Sequence, residues 1–142
     1  MRKRCVVVLM LLVWLTLFAS ATAKAQSSHR FVIRIPFDFS IPSGILPAGT
    51  YAVERADPTK PNVLMFKNTE NGSVRLFITQ RVEKGETSET SCLIFKRWKS
   101  EYQLYQVWVV GHQEGNQLPT DNTTRAKGAA ALVRLKVSES KP

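Results

Sequence analysis

An all-β domain, a single antiparallel sandwich or small barrel of about seven strands, is what three features of this sequence predict. Apolar and polar residues alternate strictly over Phe31–Phe39 and again over Thr50–Ala56. Short apolar runs recur about every 10 residues along the chain. Proline, glycine or asparagine stands between most of these runs, where a chain must turn. No internal repeat, coiled-coil pattern or low-complexity segment competes with this reading.

The first strand places Phe31, Ile33, Ile35, Phe37 and Phe39 on one face, opposite Val32, Arg34, Pro36 and Asp38. Period two with one wholly apolar face is a half-buried strand. Pro36 has no amide hydrogen, so it must lie at an edge, a bulge or a break, and the strand is expected to bend there. Two turn signals follow, Pro42-Ser43-Gly44 and Pro47-Ala48-Gly49, with Ile45-Leu46 between them. Proline presets φ and glycine accepts positive φ, so the stretch reads as a folded connector. Ile45 and Leu46 are expected to tuck under it and cover the end of the core. Asp38 suits an Asx-type cap on the following turn. Asp38, Pro47, Gly49 and Tyr51 are therefore structural residues, and Tyr51 opens the returning strand.

Asp57–Asn62 is a loop, Val63–Lys67 a short strand, and Asn71-Gly72 a turn. Ser73–Val82 reads as one longer strand, with Val74, Leu76 and Ile78 opposite Arg75, Phe77 and Thr79. Glu83–Glu89 is a charged connector. Ser91–Trp98 and Glu101–Val110 form a hairpin about Lys99-Ser100. Gly111–Gln117 reads as loop. Thr120 or Asp121 can cap a short helical turn over roughly 121–130, which Ala126, Ala129, Ala130 and Ala131 favour and Gly128 opposes. Leu132–Val137 is a last strand, an edge kept soluble by Arg134 and Lys136.

The chain's start has a separate logic. Arg2-Lys3-Arg4 precedes an apolar run from Cys5 to Ala19, and small residues follow up to Ala25. That layout is a secretory signal, residues 1–25, with cleavage expected before Gln26. The run is short for a membrane span, although an uncleaved anchor is the alternative. No membrane span remains after cleavage. Residues 26–142 then form one domain, with its ordered core at about 30–138. The chain carries a net charge of +9, part of which (Arg2, Lys3, Arg4, Lys24) belongs to the signal. With Cys5 removed, Cys92 has no partner for a disulfide, and it reads as a small buried hydrophobe. The expected location is periplasmic or extracellular.

The quoted motifs "IPFDF", "LPAGTY", "LIFKRW", "YQLYQVWVVG" and "GNQLP" resemble a group of small exported bacterial proteins of acidobacterial type. The matching positions are Ile35–Phe39, Leu46–Tyr51, Val53, Phe95, Arg97, Gln106–Trp108 and Leu118-Pro119. After Pro119 the alanine-rich Thr123–Ala131 departs from the group's acidic-basic helical segment. The resemblance implies organisation and no mechanism.

Chemistry-bearing patterns are sparse. Nucleophilic hydrolysis needs a base, and the histidines left after cleavage are His29, in the loose start, and His112, in the Gly111–Gly115 loop; no Gly-x-Ser-x-Gly elbow exists. Metal-ligand spacing, phosphate loops and dinucleotide fingerprints are absent, so neither a metal nor a cofactor is expected. The chain reads as a non-catalytic protein. The most suggestive cluster is Lys96-Arg97-Trp98-Lys99 with Tyr102, Tyr105 and Trp108 nearby, where a two-residue turn would set Arg97 opposite Tyr102 for a cation–π contact. Such a cluster suits an anionic or carbohydrate polymer of the cell envelope, or another exported protein. Nucleic acid is disfavoured for an exported chain. The expected function is a binding or scaffolding accessory module. The alternative is a small barrel carrying an apolar ligand, and an enzyme of unfamiliar type comes third.

Overall fold

The computed structural model describes residues 30–120 and 128–137, and within them the protein is an antiparallel β-sandwich. The strands are β1 (Phe31–Ile35), β2 (Phe39–Ile41), β3 (Gly44–Leu46), β4 (Gly49–Arg55), β5 (Val63–Asn68), β6 (Val74–Ile78), β7 (Gln80–Glu83), β8 (Cys92–Trp98), β9 (Glu101–Trp108), β10 (Glu114–Gln117) and β11 (Ala131–Lys136). One sheet has the order β1-β4-β5-β6. The other runs β11-β8-β9-β10-β7 and adds β2 beside β9, with β3 paired to β2. Neither sheet closes on itself, so the sandwich stands and the barrel does not.

The opening stretch is more than a turn. The chain leaves the four-stranded sheet at Pro36 and enters the other sheet as the hairpin β2–β3. It returns at Pro47 to pair β4 with β1. The expected bend is thus a full transfer between sheets, and Pro36 ends the pairing because it cannot donate. β2 lies parallel to β9, with Ser40 opposite Gln103. Asp38 accepts a hydrogen bond from the Ala48 amide at 2.8 Å, tying the outgoing crossing to the returning one. That strut reaches ten residues along the chain, so Asp38 caps the second turn and not the turn that follows it. Tyr51 donates its hydroxyl to the Pro47 carbonyl at 2.7 Å.

Two details of this connector differ from expectation. Leu46 is buried, but Ile45 is 77% exposed, because it alternates outward from the little strand while Leu46 turns in. Gly44 has positive φ, and Gly49 does not. Gly49 is needed for space: a β-carbon there would stand 3.1 Å from Asn68 Nδ2. Asn68 is itself buried, and its Oδ1 accepts from the amides of Glu70 and Asn71, shaping the β5–β6 turn.

The expected strand Ser73–Val82 is two strands. Thr79 is the break, where the chain passes from the four-stranded sheet into the other. Its amide donates to the Asn62 carbonyl at 2.8 Å. Its buried hydroxyl lies 2.9 Å from that same carbonyl and 3.0 Å from Asn116 Oδ1. Gly111–Gln117 is not all loop, because Glu114–Gln117 forms β10 between β9 and β7. The apolar signal is missing there, since the strand is Glu-Gly-Asn-Gln. These splits and additions turn about seven expected strands into eleven short ones. The helical turn expected over 121–130 falls mostly on residues 121–127, outside the described residues, and Gly128–Ala130 are not helical.

Between the sheets, Ile33, Ile35, Phe39, Tyr51, Phe66, Leu93, Phe95, Leu104 and Val107 form one buried cluster. Phe39 makes edge contacts to Tyr51 at 5.5 Å and Phe95 at 5.6 Å. Each such side chain contributes about 1.5–3 kcal/mol on burial, and these terms hold a fold that has no disulfide among the described residues.

Candidate binding face

Strand alternation divides the seven-stranded sheet into a core face and an outer face. Registers place the outer residues in rows. One row is Arg134, Ile94, Gln106, Gln117 and Gln80. The next is Lys136, Cys92, Trp108, Gly115 and Val82. A shorter third row is Leu132, Lys96 and Gln103. No acidic residue occurs in these three rows. A bulge on β9, opposite Ile94 and Phe95 of β8, leaves Tyr105 as the extra residue between the registered residues Leu104 and Gln106. Tyr105 joins the outer cluster of Cys92, Ile94, Trp108 and Val82.

Polar contacts fix this face. The Trp108 indole donates to Gln106 Oε1 at 3.1 Å, and Gln106 Nε2 donates to Gln117 Oε1 at 2.9 Å. The chain of bonds aligns two amide side chains across β9 and β10. Lys96 Nζ stands 3.8 Å from the centre of the Tyr105 ring. Burial of Lys96 holds its ammonium below the ordinary lysine range. The aromatic ring compensates part of that lost hydration.

The connector after β7 overhangs one end of the face. It is tied to the β9–β10 loop by Lys84 N to Gln113 O, Ser88 N to His112 O and Gly111 N to Ser88 O. The cleft between it and the sheet measures about 510 Å³. Trp108 and Ile94 line it on the sheet, Arg134 and Lys136 on one side, and Glu86 and Glu89 on the connector. Cys92 is buried at its floor, and burial pushes its thiol up, against the pull of Arg134, Lys84 and Lys136.

The residues singled out in the sequence do not form one surface. Trp98 pairs with Glu101 and Arg97 with Tyr102 across Lys99-Ser100, as expected. Alternation then sends Lys96 and Trp98 to the outer face and Arg97 and Tyr102 to the core side. Tyr102 stacks on Phe37 at 3.7 Å and 12°, which covers one face of its ring. Lys99 sits in the turn with φ 51°, and the Trp98 indole donates to the Gly128 carbonyl at 3.2 Å. Arg97, Trp98 and Lys99 instead border a separate open cleft of about 590 Å³ with Ala129 and Ala131. Sequence reasoning named Lys96 beside Arg97 but missed its grouping with Gln106, Gln117 and Arg134. The available signal was the alternation of Leu132, Arg134 and Lys136, which marks an outward basic stripe.

Asp38, Pro47, Gly49 and Tyr51 hold the connector together, at the crossing between the sheets. Among the described residues, no group of three His, Cys, Asp or Glu side chains converges to hold a metal ion. No helix among them is long and apolar enough to cross a membrane. No protein-family model, curated protein or solved structure matches the chain.

Proposed function

We propose that this protein is an exported, non-catalytic binding module that holds an acidic carbohydrate polymer on the outer face of its seven-stranded sheet. The observation that carries the reading is the row Arg134, Ile94, Gln106, Gln117 and Gln80, with Lys96 and Gln103 in the neighbouring row and no acid in either. Ammonium and guanidinium groups attract carboxylates, and side-chain amides match sugar hydroxyls as donors and acceptors. Glu86 and Glu89 wall off one end, which directs an acidic chain along the open rows. Export is supported by the basic, apolar and small-residue succession of residues 1–25, which lie outside the described residues. The carrier alternative has less support, because the rings of Phe39, Tyr51, Phe66 and Phe95 fill the space between the sheets.

The test is affinity electrophoresis of the protein through gels containing a uronic-acid polymer or neutral dextran. Retardation by the acidic polymer, relieved in Lys96→Ala and Arg134→Ala and weakened by salt, supports the reading. Equal mobility in both gels, or retardation unchanged by those substitutions, removes it.

A further inference from the structure

The geometry points to a second site on the opposite sheet: the free edge of β6 is where a second copy of this chain adds, antiparallel, about a two-fold axis through Leu76. Among the described residues, β6 ends its sheet and pairs only with β5. The direction of its backbone can be read from its flanks. Asn68 N donates to Ser73 O and Thr79 N to Asn62 O, both at 2.8 Å. With period two along the strand, Arg75 and Phe77 aim their backbone groups at β5. Val74, Leu76 and Ile78 aim theirs at the open edge.

The same three residues expose apolar side chains, at 41%, 56% and 67%. An exposed edge without lysine, proline or a bulge invites pairing. β6 has none of these, and its one charge is Arg75. The Arg75 guanidinium rests 3.4 Å from the Val74 carbonyl, a long contact that a partner amide would replace.

Charge and shape both favour a second copy as the occupant. In the two-fold register Leu76 meets Leu76 of the second copy, and Val74 meets Ile78. Arg75 meets Phe77 instead of a like charge, and a cation beside an aromatic ring is favourable across strands. The sequence Val-Arg-Leu-Phe-Ile is therefore matched to its own reverse. A two-fold interface requires this of a strand that pairs with itself. The result is a continuous sheet running through both copies.

Sedimentation of the purified protein over a concentration series tests this, with amide hydrogen exchange on the same samples. The expected result is a monomer–dimer equilibrium in which the Leu76 and Ile78 amides gain protection with concentration. The Phe77 amide, already bonded to β5, does not change. Leu76→Lys sets like charges on the axis and raises the dimer dissociation constant about tenfold or more. Ile45→Lys, at a still more exposed position on the other sheet, leaves it unchanged. A monomer at every concentration overturns the inference. So does a dimer indifferent to Leu76→Lys, which would use another face. Concentration-independent protection of Leu76 in a monomer also overturns it, since a segment of the same chain would then cover the edge.

Discussion

The indole of Trp108 occupies the space that a side chain at Gly115 would need: a β-carbon there would stand 2.7 Å from Cδ2 and 2.8 Å from Cε2 and Cε3. The two residues face each other across β9 and β10. Glycine at 115 therefore lets the indole lie down and reach Gln106 with its N–H. Gly115→Ala must push the ring away, and overpacking of this kind costs about 1–3 kcal/mol. Urea unfolding measures the loss, and the tryptophan emission of the folded protein should shift with it. A change under about 0.5 kcal/mol would show that the ring is not confined as described.

Asp38 and Tyr51 act on adjacent groups of one turn, the Ala48 amide and the Pro47 carbonyl. Asp38→Ala and Tyr51→Phe are each expected to cost about 1 kcal/mol. Because both fix the same crossing, their effects should be coupled by about 0.5 kcal/mol or more in the double variant. Independent addition of the two losses would mean that the turn holds its shape without them.

Most of the core was legible because alternation survives the crossings between sheets. Ile33, Ile35 and Phe39 share parity and all reach the core, although they belong to different sheets. The crossings themselves were half legible. Pro36 announced a break, since a missing donor is written in the residue type, whereas Thr79 looks like an ordinary strand residue. Its role comes from Asn62 and Asn116, which are distant in sequence. β10 was illegible for a related reason: Glu-Gly-Asn-Gln has no apolar alternation, and its order comes from neighbours on both sides. The rows of the proposed face were not legible, because nearness in sequence is not nearness on a sheet. Consecutive residues Lys96 and Arg97 point to opposite faces.

Cys92 offers a pH test. Its thiol is pushed up by burial, so the folded state keeps the proton longer than the unfolded chain does. The unfolded thiol titrates near pH 8.5. The associated stability is complete below that value and is lost as pH rises above it toward the folded-state value. Lys96 works in the opposite sense at higher pH, because its depressed ammonium is relieved on deprotonation. Comparing Cys92→Ala with the parent separates the two. The parent should lose stability from about pH 8.5 upward relative to the variant, in urea titrations at a series of pH values. In a Cys5→Ser background, alkylation of Cys92 should also be slow until the protein unfolds. Parallel pH curves, or fast alkylation of the folded protein, would contradict this burial.

The faces of β8 give the sharpest separation of the two basic sites. Lys96 lies in the acid-free rows beside Gln103 and Leu132, and Arg97 lies on the other side beside Tyr102 and Ala131. If the outer face holds an acidic polymer, Lys96→Ala should weaken binding about three- to tenfold, the range set by a bond of about 1 kcal/mol. Part of any stability loss in that variant comes from the Tyr105 contact, about 0.5–1 kcal/mol, so folding must be checked beside binding. Arg97→Ala removes an equal charge one residue away and should leave affinity within about twofold, since exposed charges off the contact are screened. Both variants should be titrated at two salt concentrations, because a lost contact on the face lowers the salt dependence and a remote charge barely alters it. Equal losses for Lys96→Ala and Arg97→Ala would mean that binding follows net charge alone, and the assignment to one face of the sheet would fall.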